Sequence, residues 1–238
     1  MSQPPILRLQ NVGVRYSNGA QAVEDVSMDV MPGSRTAVLG RNGAGKTSLL
    51  RGVAGFLRSE HVSVSGKVIV GDVDIAGGTP LEATKRGIAI VPEREKIFPS
   101  LTVAEHFRLI EPSSTPDSAR LRFEALGRLW GSRAGLLSGG ERQMLAIAMA
   151  LLHRPKLLLI DEMSLGLAPV IVKSLMRHLE EITTASGVAT LLVEQDATAA
   201  LRVAEHVYLL DRGRIVWQGR SDETTSEELG RNYLGTKL

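Results

Sequence analysis

Cysteine and aromatic residues are scarce in this sequence. None of the 238 residues is cysteine, which excludes disulfides, cysteine-ligated metal ions and a thiol nucleophile. Aromatic side chains make up only 4% of the chain and hydrophobic ones 43%, so the core has to be aliphatic, as suits buried parallel strands. The length fits one large domain, or one domain with an inserted lobe.

Long hydrophobic runs are absent as well. A membrane-spanning helix needs about 20 apolar residues, and the longest such run, residues 144–152, has nine. The first residues do not follow the charged-then-apolar pattern of a secretory signal. We therefore expect a soluble chain, and any role at a membrane is expected to be peripheral.

A strong charge of one sign is also missing. Lys and Arg total 28 against 26 for Asp and Glu, a net charge of +2, with an isoelectric point near 9.0. The sequence has no block of five or six basic residues, so nucleic acid is not an expected partner. The five histidines do not have the spacing of metal ligands.

Hydrophobic patterning predicts alternating strands and helices at both ends of the chain. Residues 6–16 and 22–31 flank a Ser-Asn-Gly turn and predict an antiparallel hairpin. The other elements predicted there are strands over 36–39, 67–70, 87–91, 157–160 and 188–193, helices over 46–53, 169–185 and 197–205, and a hairpin joining 207–210 to 215–217. This alternation predicts an α/β fold with a parallel sheet.

The middle of the chain is predicted to be mainly helical. Thr102 and Glu105 have the spacing of a capping box at a helix start. Residues 111–118 are rich in Ser and Pro and predict an exposed connection. The next helix is predicted from Leu121, Phe123, Leu126 and Leu129. A long helix is predicted from Ser138 to about His153, where Pro155 follows.

Residues 40–47 form a glycine-rich segment between a predicted strand and a predicted helix. They read Gly-Arg-Asn-Gly-Ala-Gly-Lys-Thr and fit G-x-x-x-x-G-K-[ST]. Such a loop turns backbone N–H groups towards phosphate oxygens, Lys46 would neutralise the β and γ phosphates, and Thr47 would offer a hydroxyl to Mg²⁺. The alternative is a glycine-rich turn without a ligand. The predicted nucleotide-binding residues of this segment are Gly40, Arg41, Asn42, Gly43, Ala44, Gly45, Lys46, Thr47 and Ser48.

Two acidic residues end a predicted buried strand. The apolar run 157–160 leads directly into Asp161 and Glu162, and buried acids are costly unless they serve a purpose. Asp161 would hold Mg²⁺ through water, and Glu162 would orient and deprotonate the attacking water. The alternative is a solvated strand end whose acids cap the next helix.

The segment Ser138-Gly139-Gly140-Glu141 has two interpretations. Ser138 and Glu141 have capping-box spacing, which predicts a helix start. The two glycines would also expose backbone N–H groups to an outside anion, with the Ser138 hydroxyl beside them. Both interpretations can hold together, because the cap would shape the anion site.

Residues 40–47, 137–141 and 157–162, in this order, resemble the ATP-binding cassette (ABC) family over essentially the whole chain. The resemblance implies a P-loop NTPase built as one domain over 1–238. Residues 1–92 and 155–238 would form a RecA-like core with an antiparallel β region, and 93–154 an inserted helical lobe carrying the Leu-Ser-Gly-Gly-Glu signature. It also implies ATP and Mg²⁺ as cofactors, and a head-to-tail dimer in which Ser138, Gly139, Gly140 and Glu141 complete the partner's nucleotide site.

Further residues have roles implied by the same resemblance. Tyr16 stands where the family has an aromatic that stacks on adenine, although a hairpin aromatic packed on its neighbours is the alternative. Glu93 and Gln195 would sense the γ-phosphate beside Glu162. The metal ligands implied are Thr47, Asp161 and Glu93. Residues 164–167 resemble the segment that couples the two sites of the dimer.

At Glu93 and Gln195, most cassettes have Gln and His. Together with Phe98-Pro99 and residues 233–235, these two residues resemble the pattern of one subgroup of the family. That subgroup is the second ATPase subunit of branched-chain amino acid importers, with related urea and amide uptake systems. The resemblance implies integral permease subunits, a second ABC ATPase as a heterodimer partner (a homodimer being the alternative), and indirectly an extracytoplasmic substrate-binding protein. It implies a peripheral location on the cytoplasmic face of the inner membrane.

The sequence departs from that subgroup at Met163, Met149 and residues 94–96. None of these departures removes a phosphate or metal ligand, and they bear on the fit to the permease and on the exact substrate. Three other function classes stay open. One is a cassette for a different cargo, such as lipid or drug export. Another is an ABC ATPase that acts on nucleic acid or ribosomes, although the chain has one cassette and no basic tract. The third is a non-catalytic, ATP-gated regulatory subunit, against which Lys46, Asp161 and Glu162 argue.

Overall fold

Two β-sheets with surrounding helices make up the computed structural model, which describes residues 3–57, 62–94, 97–121 and 123–231. The strands are β1 Leu7–Arg15, β2 Gln21–Val30, β3 Arg35–Leu39, β4 Ser63–Val70, β5 Val73–Asp74, β6 Ile88–Val91, β7 Leu157–Asp161, β8 Ala189–Glu194, β9 His206–Asp211 and β10 Arg214–Arg220. The helices are α1 Lys46–Val53, α2 Pro80–Lys85, α3 Val103–Ile110, α4 Pro116–Arg120, α5 Glu124–Arg128, α6 Gly139–Leu152, α7 Pro169–Ser186, α8 Ala197–Leu201 and α9 Ser226–Leu229. Residues 95–96 and the terminal segment 233–235, used above for the subgroup, lie outside the described residues.

The larger sheet has the strand order β10-β9-β3-β8-β7-β6. Pairing is parallel from β9 to β6, and β10 runs antiparallel to β9. Every residue of β7 and β8 is buried, as expected for strands covered on both faces. The predicted α/β fold with a parallel sheet is confirmed, and β10 adds an antiparallel strand at its edge. Since β3, β8 and β7 are parallel neighbours, their carboxyl ends lie side by side at one edge of the sheet.

The smaller sheet is antiparallel, in the order β2-β1-β4-β5. The predicted hairpin is confirmed, with Leu7 opposite Val30 and Arg15 opposite Gln21. Helix α1 contacts strands of both sheets, and its Leu49 and Leu50 belong to a buried cluster that also contains strand residues such as Val14 and Val23. The start of α1 is therefore fixed between two layers.

Residues 97–121 and 123–153 form helices and turns. The predicted capping box at the start of α3 is present, since Thr102 N donates to Glu105 Oε2 at 2.7 Å and Glu105 N donates to Thr102 Oγ1 at 3.2 Å. Helix α6 contacts α3, α5, α7 and β6. The large side chains of Phe107, Phe123 and Leu145 are fully buried. They belong to a core of aliphatic and aromatic residues that this region shares with one face of the larger sheet.

The single helix predicted from Leu121, Phe123, Leu126 and Leu129 is wrong. Pro116 starts α4 inside the expected connection 111–118, where Thr115 caps the helix, and α4 ends at Arg120. Phe123 is extended, with φ −140° and ψ 116°, and is buried, whereas Leu121 is 86% exposed. The apolar residues have helical spacing in the sequence, but the chain is extended at Phe123, and this places the Phe123 side chain in the core.

Other elements also differ from expectation, and strands β4 and β10 are longer than the predicted 67–70 and 215–217. Helix α8 ends at Leu201 rather than 205, because the buried Val203 and Ala204 lie in the turn that follows it. Strand β5 and helix α2 were not predicted, although Thr79 and Glu82 form a capping box at the start of α2. None of the helices in the described ranges is both long and apolar enough to span a bilayer.

Candidate nucleotide-binding site

The phosphate loop leaves the carboxyl end of β3 and enters α1. Gly45 is the N-cap of α1 and has φ 103°, and no side chain caps the helix there. Such a φ is accessible to glycine without strain and is unfavourable for residues with a Cβ. A helix start without a side-chain cap, approached through glycines, directs backbone N–H groups and the positive end of the helix dipole into the adjoining cleft.

Lys46 lies at the base of this cleft. Its Nζ is 3.1 Å from Glu162 Oε1 and donates to the carbonyl oxygen of Arg41 at 3.3 Å. The Lys46 side chain is 3% exposed and that of Glu162 11%. The structure thus brings the predicted phosphate-binding cation and the predicted base into direct contact, although they are far apart in sequence.

Thr47 and Asp161 form the second pair. Thr47 Oγ1 donates to Asp161 Oδ1 at 3.2 Å. Burial raises the pKa of Asp161 from 3.8 to about 6, partly opposed by the Thr47 hydrogen bond and increased by the nearby Glu162 and Glu93 carboxylates. A buried carboxylate crowded by other acids favours a bound cation.

These residues fit a magnesium ion. Mg²⁺ prefers oxygen ligands and is often held by one or two protein groups, together with waters and substrate phosphates. Thr47 and Asp161 provide a hydroxyl and a carboxylate oxygen that are within hydrogen-bond distance of each other. The described residues contain no group of three or more His, Cys, Asp or Glu side chains suited to hold a metal by themselves.

Glu162 follows β7 in an unusual backbone conformation. Its φ is 44°, in the left-handed region, and its N–H donates to the carbonyl oxygen of Val193 at 2.9 Å. The side chain is thereby directed to Lys46 at the edge of the larger sheet. This position next to the phosphate loop suits a base that acts on water near a bound phosphate.

The walls of the cleft come from separate parts of the chain. The described residues that line it are Ala22, Asn42, Gly43, Gly45, Lys46, Thr47, Ser48, Glu93, Arg94, Glu162 and Leu165. Glu93 follows β6, and its Oε1 accepts from Arg94 Nε at 2.9 Å. Glu93 lines the same cleft as Thr47, and its carboxylate contributes to the raised pKa of Asp161.

Tyr16 and Gln195 stand at the margin of the site. The Tyr16 hydroxyl and Ser48 Oγ are 2.9 Å apart, which ties the hairpin to the first turn of α1. Tyr16 is half-buried against the cluster formed by the smaller sheet and α1, so it contacts its neighbours in the way the alternative interpretation expects. Gln195 is exposed at the end of β8 and is not among the described residues lining the cleft.

The signature segment starts α6, and its residues are not among the described residues that line the cleft. Ser138 is the N-cap, its N–H donates to Glu141 Oε2 at 2.7 Å, and Glu141 N donates to Ser138 Oγ at 3.4 Å. The predicted capping box is confirmed. A Cβ at Gly140 would lie 2.6 Å from Ile171 Cγ2, so this position has to be small for α6 to approach α7.

Glu194 is a buried polar residue that the motifs did not identify. It ends β8, is completely buried, and accepts hydrogen bonds from Ser164 N at 2.9 Å and Ser164 Oγ at 2.6 Å. Burial raises the pKa of Glu194 from 4.5 to about 7, opposed by these hydrogen bonds. The available signal was an acid at the end of an otherwise apolar strand, the same signal that marked Asp161.

Comparison with known proteins assigns the family. Residues 23–164 match the family model described as ABC transporter. The branched-chain amino acid transport ATP-binding protein BraG of Pseudomonas aeruginosa is 38% identical over 228 residues, covering 92% of this chain and 96% of the relative. The Fe(3+) ions import ATP-binding protein FbpC of Yersinia pestis is 34% identical over 248 residues, covering 97% of this chain and 69% of the relative.

A solved structure supports the same assignment. An ATP-binding cassette of an ABC transporter, in its ADP conformation, superimposes with a TM-score of 0.80 at 28% identity, over 93% of each chain. The chain therefore belongs to the ABC transporter family and has its ATPase cassette fold. It is an ATP-binding ATPase of that family.

Proposed function

We propose that this chain is the ATP-hydrolysing subunit of an importer for branched-chain amino acids. The observation that carries the ATPase chemistry is the convergence of Lys46, Thr47 and Glu162 on one cleft, with Asp161 hydrogen-bonded to Thr47. The transport assignment is supported by the likeness to BraG over nearly the full chain. The Glu93 and Gln195 pattern favours the same subgroup, and urea or amide uptake is the alternative cargo.

The cleft residues would divide the work on ATP. Backbone N–H groups of the phosphate loop and Lys46 Nζ would hold the β and γ phosphates, which requires Lys46 to exchange part of its contact with Glu162 for phosphate oxygens. Glu162 would then accept the proton of the attacking water. Glu93 and Gln195 would contact the γ-phosphate region, and Tyr16 the adenine. Phosphoryl transfer of this kind depends mainly on positioning and charge stabilisation.

Thr47 and Asp161 would hold Mg²⁺, with Glu93 beside them. When bound, the ion supplies charge neutralisation at the β and γ phosphate oxygens. Asp161 contributes its carboxylate at the end of β7, and Thr47 its hydroxyl from the first turn of α1. The raised pKa of Asp161 would fall again beside a divalent cation, because an opposite charge favours the ionised form.

A second cassette would complete the site. We propose one domain over 1–238, with the core and antiparallel β region in 1–92 and 155–238 and the signature-bearing helical lobe in 93–154. The signature residues Ser138, Gly139, Gly140 and Glu141 are not among the described residues lining this chain's own cleft, which supports a head-to-tail arrangement. A related ATPase subunit is the proposed partner, with a homodimer as the alternative.

An apolar groove suits the permease contact. It runs between β6, at the edge of the larger sheet, and α6, and it includes Phe56, Pro92, Met149 and His153. Phe56 is 39% exposed, and Glu93 at the nucleotide cleft is the next residue after Pro92. A permease segment in this groove would be adjacent to the site that changes on hydrolysis. This contact would place the chain peripherally on the cytoplasmic face of the inner membrane.

Co-purification from native membranes tests the proposal. The tagged chain should recover two integral membrane proteins and a second cassette. The reconstituted assembly, with its extracytoplasmic binding protein, should take up leucine, isoleucine or valine with ATP, and the same assembly carrying Glu162→Gln should not. Uptake of urea or amides instead would correct the cargo only. Recovery of ribosomes or nucleic acid would contradict the transport assignment and leave the ATPase chemistry intact.

A further inference from the structure

Hydrogen bonds beyond the strand ladder join the ends of β7 and β8. Glu162 N donates to Val193 O at 2.9 Å. Ser164 N and Ser164 Oγ donate to the two carboxylate oxygens of Glu194, at 2.9 and 2.6 Å. Burying a carboxylate is costly unless its oxygens are hydrogen-bonded. Both carboxylate oxygens of Glu194 accept hydrogen bonds from Ser164, which lies two positions after Glu162.

The backbone of Glu162 needs this kind of support. Its φ of 44° is in the left-handed region, which is unfavourable for a residue with a Cβ. Such a conformation persists only where the surroundings hold it in place. Val193 fixes the peptide on the amino side of Glu162, and Glu194 fixes the loop on its carboxyl side. Between them, the Glu162 carboxylate is held 3.1 Å from Lys46 Nζ.

We infer that Glu194 is a positioning residue that holds Ser164 with both carboxylate oxygens and so keeps Glu162 aimed into the phosphate cleft. This inference rests on the proposed role of Glu162 as the base. Glu194 is completely buried and acts through the loop rather than on the nucleotide. The same anchor fixes the strand end from which Gln195 emerges, so both ends of the proposed water-activating arrangement depend on it.

Substitutions at Glu194 separate positioning from simple stability. Glu194→Met keeps the length of the side chain and removes both acceptors. Glu194→Gln keeps an oxygen for Ser164 N and supplies an amide donor for Ser164 Oγ. Thr190→Val is the matched control, since Thr190 is a buried polar residue on the same strand. Each full-length variant is assayed in the assembly with which it co-purifies, and its folding is checked by thermal unfolding.

Glu194→Met is expected to lower kcat about 10- to 100-fold, as misplacement of a catalytic group does, with an unchanged Kd for ATP. Glu194→Gln should restore most of kcat, and Thr190→Val should leave it at the wild-type value. Ser164→Ala should lower kcat less than Glu194→Met does. It should add nothing when combined with Glu194→Met, because both remove the same interaction.

The positioning role is wrong if Glu194→Met keeps the wild-type kcat, if Thr190→Val loses as much, or if ATP binding falls in proportion to kcat. If Glu194→Met does not fold, Ser164→Ala decides, and a wild-type kcat there overturns the inference. Glu162→Gln is measured in parallel. Full hydrolysis in Glu162→Gln contradicts the proposed base itself, whereas lost hydrolysis there with normal Glu194→Met and Ser164→Ala contradicts only the positioning role.

Discussion

Two glycine-containing helix starts in this chain differ in how they are capped. Helix α1 begins after Gly45 with no side-chain cap, and three charged residues, Lys46, Asp161 and Glu162, converge beside it. Helix α6 begins after Ser138 with a complete capping box supplied by Glu141. The first helix start is arranged for an external anion, while at the second the N–H groups of Ser138 and Glu141 are already hydrogen-bonded within the chain.

This difference indicates what each region can offer a nucleotide. The first turn of α1, with its glycine approach, suits tight contact with phosphate oxygens. The capping box uses the N–H groups of Ser138 and Glu141, so the start of α6 can contribute the Ser138 hydroxyl and the N–H groups of Gly139 and Gly140. We therefore expect binding and hydrolysis to depend on the first region, and only hydrolysis to depend on the second.

The largest effect is expected from Glu162→Gln. Removal of a general base typically costs about 10²- to 10⁴-fold in rate, and the isosteric amide keeps the shape of the cleft. Hydrolysis by the purified assembly should fall by this factor, while ATP binding is retained and the ATP-bound dimer accumulates. The exposed Glu181→Gln is the control. Wild-type hydrolysis in Glu162→Gln would mean that Glu162 is not the base.

Lys46→Ala tests where ATP binding is located. Hydrogen bonds to charged groups contribute about 1.5–3 kcal/mol each, so loss of the Lys46 contacts should weaken ATP binding about 100-fold. The exposed Lys67→Ala should bind ATP as the wild type does. Equilibrium binding of a fluorescent ATP analogue measures both, and an unchanged Kd in Lys46→Ala would mean that phosphates are not held at α1.

Glu194→Gln should change how the free energy of unfolding depends on pH. Burial raises the pKa of Glu194 to about 7, so the folded state binds this proton more tightly than the unfolded chain, and stability falls as pH rises from about 4.5 towards 7. Glu194→Gln removes this dependence. Urea unfolding at pH 5 and pH 7.5 should show the wild type losing about 2 kcal/mol more than the variant. Parallel pH dependence in the two proteins would contradict the raised pKa.

The smallest effect concerns the two helix caps themselves. Thr102 and Ser138 cap α3 and α6 with the same box geometry, each N–H reaching its partner Glu at 2.7 Å. Thr102→Ala and Ser138→Ala should each lower the free energy of unfolding by about 1 kcal/mol. Only Ser138→Ala should also lower ATP hydrolysis. Equal hydrolysis in the two variants would mean that Ser138 is only a cap.

Parts of the site that depend on residues close together in the sequence could be predicted, and parts that depend on residues far apart could not. The phosphate loop and the capping boxes depend on neighbours within a few residues, so their spacing encodes their geometry, and α1 was predicted at its observed bounds. The hydrogen bonds between Ser164 and Glu194 join residues 30 apart through adjacent parallel strands. No local pattern contains the register of β7 against β8, so this contact could not be predicted.

The fold shows the same limit in the helical region. Capping signals at Thr102 and Ser138 gave correct helix starts, because a cap is a local structure. The apolar residues from Leu121 to Leu129 gave a wrong helix, because tertiary packing buries Phe123 and exposes Leu121. Periodicity identifies which residues are apolar, and packing decides which of them are buried.

We infer that nucleotide binding and completion of a catalytic site belong to separate regions of this chain. The most direct test is Ser138→Arg, with Thr102→Arg as a control that loses an equivalent cap, measured for ATP affinity and for ATP turnover in the purified assembly. The predicted result is wild-type ATP affinity in both variants, with turnover lost only in Ser138→Arg. Loss of ATP affinity in Ser138→Arg, or turnover equal to that of Thr102→Arg, would show that the two functions are not separated in this way.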